Sequence, residues 1–150
     1  MATSEADIWI RHNFPRLRTR PYQVTSDDTE EYNCLAWAAG ENHRKWDPTD
    51  PSHHWPATRS LTIAAFYEAY ATERYVPCDD GTLESGFEKI AIYVTLDGGP
   101  KHAARQLSNG KWTSKLGDGW DIEHDTVEDV SNGVQNEDYG LAVAFMKRSI

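Results

Sequence analysis

The stretch KIAIYVTLDGGPKHAARQLSNGKWTSKL, residues 89–116, decides the fold. Three short runs within it, KIAIYVT, HAARQL and KWTSKL, are rich in β-branched and aromatic residues, and Asp97-Gly98-Gly99-Pro100 and Asn109-Gly110 separate them. Branched and aromatic side chains fit a pleated surface, and Asn-Gly tolerates the positive φ of a tight hairpin, so the segment predicts a three-stranded antiparallel meander. A two-residue type I′ turn at Asn109-Gly110 sets Leu107 opposite Trp112, Arg105 opposite Ser114, Ala103 opposite Leu116 and His102 opposite Gly117. Alternation then puts Ala103, Leu107, Trp112 and Leu116 on one face with Ile90, Ile92 and Val94. His102, Gln106, Thr113 and Lys115 take the other, more polar face, with His102 at a strand start.

Outward from this meander the period changes. SLTIAAFYEAYATER, residues 60–74, carries one apolar stripe of Leu61, Ala64, Ala65 and Ala69 and another of Ile63, Phe66, Tyr67 and Tyr70, the signature of a largely buried helix. Before it, WDPTDPSHHWP reads as an irregular surface loop punctuated by Pro48, Pro51 and Pro56. Earlier still, EEYNCLAWAAG leads to a helix stop at Gly40. Two starts fit that helix: a cap at Thr25 or Ser26, with Asp27, Asp28 and Glu30 at its positive end, or a cap at Asn33 with Cys34 at the first helical position. On the C-terminal side, EHDTVEDVSNG predicts a short helical turn capped by Asp125 or Thr126, and YGLAVAFMKR can add a fourth strand. Helices first and sheet afterwards make an α+β domain, with N-terminal helices packed on an antiparallel sheet. With no repeat and no dividing linker, residues 1–150 read as a single domain.

Composition narrows the function. Of 150 residues, 39% are hydrophobic and 26% charged, enough for a real core without disulfide staples. The net charge of -9 and the scattered Lys and Arg residues oppose a phosphate-tracking surface, so nucleic acid is not the expected partner. The first thirty residues lack the apolar core of a signal peptide, and no apolar run approaches a membrane span, which predicts a cytoplasmic protein. No phosphate-cradling glycine loop, Walker pattern or GxSxG elbow is present, and no cofactor is expected.

The cysteines are Cys34 and Cys78. A thiol becomes a nucleophile when a helix N-terminus or an imidazolium lowers its pKa and a base lies within reach. Cys34 and His102 are the candidate pair: a Cys on an early helix, then a His starting a strand of the following sheet. The structural alternative is a buried thiol that only packs. With Asn33 as cap, the free backbone N–H of Cys34 can serve an oxyanion together with a side-chain amide, Asn33 or Gln23. Asp121 is the candidate to orient His102 from beyond the strand, with Asp118 and His124 as contenders; DIEH suits a helical turn or an irregular segment. Cys34, Cys78, His102 and His124 match no common zinc spacing, so no metal is expected. Trp46, Trp55 and Trp120 lie in loop-like segments where flat rings can line a groove.

At YNCLAWAAG, ESGFEKIAIYV, HAARQL, WTSKLG and DIEH, taken in order, the chain resembles a family of short, mainly bacterial proteins described only as a domain of unknown function. More distantly, the Cys-bearing helix followed by a strand like KIAIYV resembles the NlpC/P60 and related papain-like amidases. That resemblance implies a papain-like fold and a Cys acting with a His and a third polar residue. Lys89 stands where those families begin the strand with His, and His102 falls at the place of the third polar residue. It implies either that His102 serves as base or that the thiol has none and the site binds without turnover. The leading expectation is a papain-like cysteine hydrolase acting on a peptide or amide substrate, with Cys34 as nucleophile, His102 as base and then acid, and Asp121 as third member. The alternative is a non-catalytic acidic binding or immunity-type protein that recognises a basic protein partner.

Overall fold

The computed structural model describes residues 4–97 and 99–150; Gly98, within the first expected turn, lies outside them. Among the described residues seven antiparallel strands form one sheet. In chain order they are β1 (Tyr22–Val24), β2 (Val76–Cys78), β3 (Phe87–Val94), β4 (Pro100–Gln106), β5 (Trp112–Lys115), β6 (Asp121–His124) and β7 (Leu141–Ser149). Their spatial order is β1-β6-β5-β4-β3-β7-β2. Helix α1 (Glu5–Asn13) lies on one face, and α2 (Cys34–Ala38) and α3 (Ile63–Ala71) lie on the other. The architecture is α+β, and the meander expected from residues 89–116 is its centre.

Both faces are covered, so the polar face expected for the meander is itself interior. His102, Gln106, Thr113 and Lys115 are all buried. Residues Lys89 to Tyr93 of β3 are buried without alternation, as in any strand covered on both sides. The α2/α3 face gathers Ile90, Ile92, Ala103, Ala144 and Met146 under Phe66, Tyr70, Trp46 and Trp55. The α1 face gathers Ala91, Tyr93, Ala104, Trp112 and Ile122 under Ile10, Phe14 and Tyr139.

The hairpin register differs by one residue from the expected one. Arg105 pairs with Thr113 and Gln106 with Trp112, and the Leu107 N–H donates to the Lys111 carbonyl, leaving Ser108, Asn109 and Gly110 in the loop. Gly110 takes φ +87°, so the loop is three residues closed by a left-handed glycine, the alternative to a two-residue turn. A one-residue slip exchanges the faces of the whole strand. Trp112 and Leu116 therefore join the α1 face, while Thr113 and Lys115 join Ala103 and Arg105 beneath α2.

Other expectations shift for local reasons. Asn33 caps α2 and accepts from the Ala36 N–H, so the helix does not begin at Thr25 or Ser26. Thr62 caps α3, which is shorter than residues 60–74, and only Ala65, Phe66, Ala69 and Tyr70 are buried on it. DIEH is neither a helical turn nor irregular: it is β6, held between β5 and the unanticipated β1. Trp46 and Trp55 belong to the core instead of a loop surface, with Trp46 stacked 5.7 Å from Tyr70. The turn after β6 forms over Val127–Val130 behind Thr126 and the C-terminal segment forms a strand, both as expected; that strand pairs with β3.

Candidate functional site

Asn33 is the hinge of the Cys34 region. Its Oδ1 accepts from the Ala36 and Trp46 N–H groups, and its Nδ2 donates to the Trp46 carbonyl at 2.7 Å. Both polar atoms of the amide are thus engaged in anchoring α2 to the Trp46 segment. Gln23, the other expected amide donor, is exposed on edge strand β1 opposite Glu123. Three strand spacings, about 14 Å, separate that edge from β4.

Cys34 occupies the first position of α2, above β4. The ladder between β4 and β5 is limited to Arg105 and Gln106, and α2 lies against both strands. The thiol bonds in place of the missing ladder partner: it donates to the Lys101 carbonyl at 3.9 Å and lies against the Ala103 N–H. The residue keeps some exposure, but the sulfur is turned onto the backbone of β4. Burial pushes its pKa up to about 12, outweighing the backbone donors around it. A five-residue helix supplies too little dipole to reverse that sign.

His102 lies on the other face. Its neighbours are Tyr93, paired with it across β3 and β4, and Tyr139, whose ring stacks on the imidazole with centroids 4.1 Å apart and planes 2° from parallel. His102 Nε2 lies 3.1 Å from Ser114 Oγ, which lies 2.7 Å from His124 Nε2, and His124 Nδ1 donates to the Thr126 carbonyl at 2.8 Å. That last bond fixes the tautomer of a neutral His124, so its Nε2 accepts from Ser114 and the serine oxygen accepts from His102 Nε2–H. His102 Nδ1 is then a bare, buried acceptor without a partner among the described residues. Burial holds both imidazoles below their ordinary pKa, His102 well below it, and the mutual repulsion of the two rings adds to the shift at His102.

No hydrogen bond joins Cys34 to His102 among the described residues: the thiol bonds to the backbone of β4 and the imidazole to Ser114 on the α1 face. Asp121 does not reach His102 either. It is on the α2 face opposite Lys115, where its Oδ2 accepts from Tyr32 Oη at 2.6 Å. Burial raises its pKa, against the opposing effects of that bond and of Lys115. Lys115 is fully buried and spends its three donors on the Thr29, Gly117 and Gly119 carbonyls. Asp118 is exposed and pairs with Lys45. Sequence reasoning missed Ser114 as the link between the two histidines; the corrected register, with His124 opposite Trp112, is the signal that identifies it. Among the described residues no group of three or more His, Cys, Asp or Glu is placed to hold a metal ion.

Fold and site define an acidic α+β protein with a cysteine-bearing helix on one face of a seven-stranded sheet and a buried His-Ser-His chain on the other. The chain belongs to the family described as Domain of unknown function (DUF7689), whose model matches residues 23–147. No curated protein and no solved structure matches it. Among the described residues no helix is long and apolar enough to cross a membrane.

Proposed function

We propose that the protein is a non-catalytic binding protein on a papain-like, NlpC/P60-like scaffold, and that its acidic surface recognises a basic protein partner in the cytoplasm. The observation that carries the reading is the thiol's environment: Cys34 is bonded to the backbone of β4 with its pKa pushed up to about 12, and no hydrogen bond joins it to an imidazole among the described residues. Hydrolysis of an amide by a Cys34/His102 pair needs the imidazole within hydrogen-bond reach of the sulfur. The second of the two outcomes implied by the papain-like resemblance, a thiol without a base, fits this geometry.

The partner's chemistry follows from charge. The net charge is -9, and Asp27, Asp28, Glu30 and Glu31 form an exposed run that takes part in no ion pair among the described residues. Such a run raises the encounter rate with a basic protein and repels an acidic one. Two free cysteines without a disulfide suit a reducing compartment. The test is fluorescence anisotropy of a labelled twelve-residue Arg/Gly peptide and of its Glu/Gly counterpart. Saturable binding of the first alone, weakening as salt rises, is expected. Equal binding of both, or of neither, contradicts the reading.

A further inference from the structure

Trp120 lies in a loop-like segment, and the cysteine region gives it no role. Of the six tryptophans, Trp46, Trp55 and Trp112 are buried at 0, 6 and 4% exposure, and Trp37 carries the Arg105 guanidinium 5.0 Å from its ring centre. Trp9 and Trp120 remain half-buried. Their rings meet at 57° with centroids 5.8 Å apart, forming the corner of an open cavity of about 450 Å³ lined also by Glu5, Ile8 and His12. Residues 5, 8, 9 and 12 share one face of α1 by helical spacing. The corner is firmly built. Trp9 packs edge-on to the buried Phe14, and Gly119 leaves room for it: a Cβ there would come 3.4 Å from the Trp9 ring and 2.9 Å from the Leu116 carbonyl oxygen.

Elsewhere the chain supplies its own cation to an aromatic face. Arg11 lies over Tyr22, Arg105 over Trp37, Lys115 over Tyr32, Lys147 over Phe87 and Arg148 over Tyr75. Among the described residues none lies over Trp9 or Trp120. An indole face is the strongest aromatic attractor of a cation, and the Glu5 carboxylate at the rim adds a charge of the right sign in a chain of net charge -9. Ile8, 62% exposed, offers an apolar floor for an aliphatic stem.

We propose that this corner takes an arginine side chain of the basic protein partner, its stem along Ile8 and its planar guanidinium against the two indoles, within reach of Glu5. Arginine fits better than lysine because a flat, weakly hydrated cation stacks on an indole while keeping in-plane donors for a carboxylate. The inference rests on the reading of the protein as a binder of a basic partner and names where one side chain of that partner sits.

The test follows the Trp9 and Trp120 indole N–H signals in ¹H–¹⁵N spectra during titration with acetyl-Ala-Arg-Ala-Arg-Ala-amide and with its citrulline counterpart, which keeps the shape and removes the charge. Both indole signals are expected to shift together and saturate, with the citrulline peptide about ten-fold weaker. Trp120→Leu, which leaves the net charge unchanged, and Glu5→Gln should each weaken the arginine peptide several-fold. Equal affinity for the two peptides overturns the inference. Shifts confined to residues 27–31, with the indoles unmoved, overturn the corner while leaving the acidic-binder reading intact; no saturable shift anywhere overturns both.

Discussion

Mild acid should destabilise this protein through the two histidines buried with Ser114. His102 and His124 are neutral in the folded state because burial lowers their pKa, His102 well below its ordinary value. Once unfolded, each titrates near the reference value of about 6.5. Above that pH neither state binds the proton and the pair contributes no pH dependence. Below it the unfolded chain takes up protons that the folded chain refuses, so stability falls as pH falls, until the folded pKa values are reached. Each imidazole contributes a slope of at most about 1.4 kcal/mol per pH unit in that window, so together they remove at most about 3 kcal/mol between pH 8 and pH 5.5. That is a large share of the 5–15 kcal/mol typical of a domain. Carboxylates with lowered pKa, such as Asp7 and Glu41, act only at lower pH. His54, also lowered by burial, adds to the same trend. Urea unfolding at half-unit steps from pH 8 to 5.5 measures the slope. His124→Gln should be less stable at pH 8 yet lose about half as much on acidification. A flat profile in the wild type, or an unchanged slope in His124→Gln, refutes the assignment of the two buried neutral rings.

Three other perturbations have defined outcomes. Lys115→Met leaves the Thr29, Gly117 and Gly119 carbonyls without the ammonium that binds them and should cost about 3 kcal/mol or more in urea unfolding. Asn33→Ala removes the cap of α2 together with both bonds to Trp46 and should cost about 2–3 kcal/mol, while Asn33→Ser, which can still cap, should lose roughly half of that; equal losses would show that the Trp46 tie contributes everything. Gly140→Ala should abolish the soluble folded protein, because Gly140 sits at φ +71° and an added Cβ would lie 1.9 Å from the Val94 carbonyl oxygen; a folded variant with an unchanged Tm would contradict the close approach of that turn to β3.

The meander, the C-terminal strand, the turn behind Thr126 and the Asn33 start were legible because period, turn residues and caps are local signals. Strands β1 and β2 were not, since three residues are too few to establish a period and β2 contains Pro77, and their places come from pairing with DIEH and with Phe145 to Lys147. Helix α1 carries local signals of the same kind, Ser4 at its cap with acidic residues in its first turn and basic ones in its last. The site depended on one residue of register. Asn109-Gly110 reads as a two-residue turn, and Gly110 with its left-handed φ fits a three-residue one equally well. That choice decides whether Ser114 or Lys115 shares a face with His102, and only packing of Trp112 and Leu116 against α1 settles it.

The neutral, β4-bonded state of Cys34 owes nothing to His102. The most direct test is the rate of iodoacetamide alkylation at Cys34 from pH 6.5 to 9.5, resolved from Cys78 by mass spectrometry, in the wild type and in His102→Gln. The expected result is slow reaction across the range, accelerated only by urea and no slower in the variant. Fast alkylation below pH 7.5 that is lost in His102→Gln would contradict the account and restore the cysteine hydrolase.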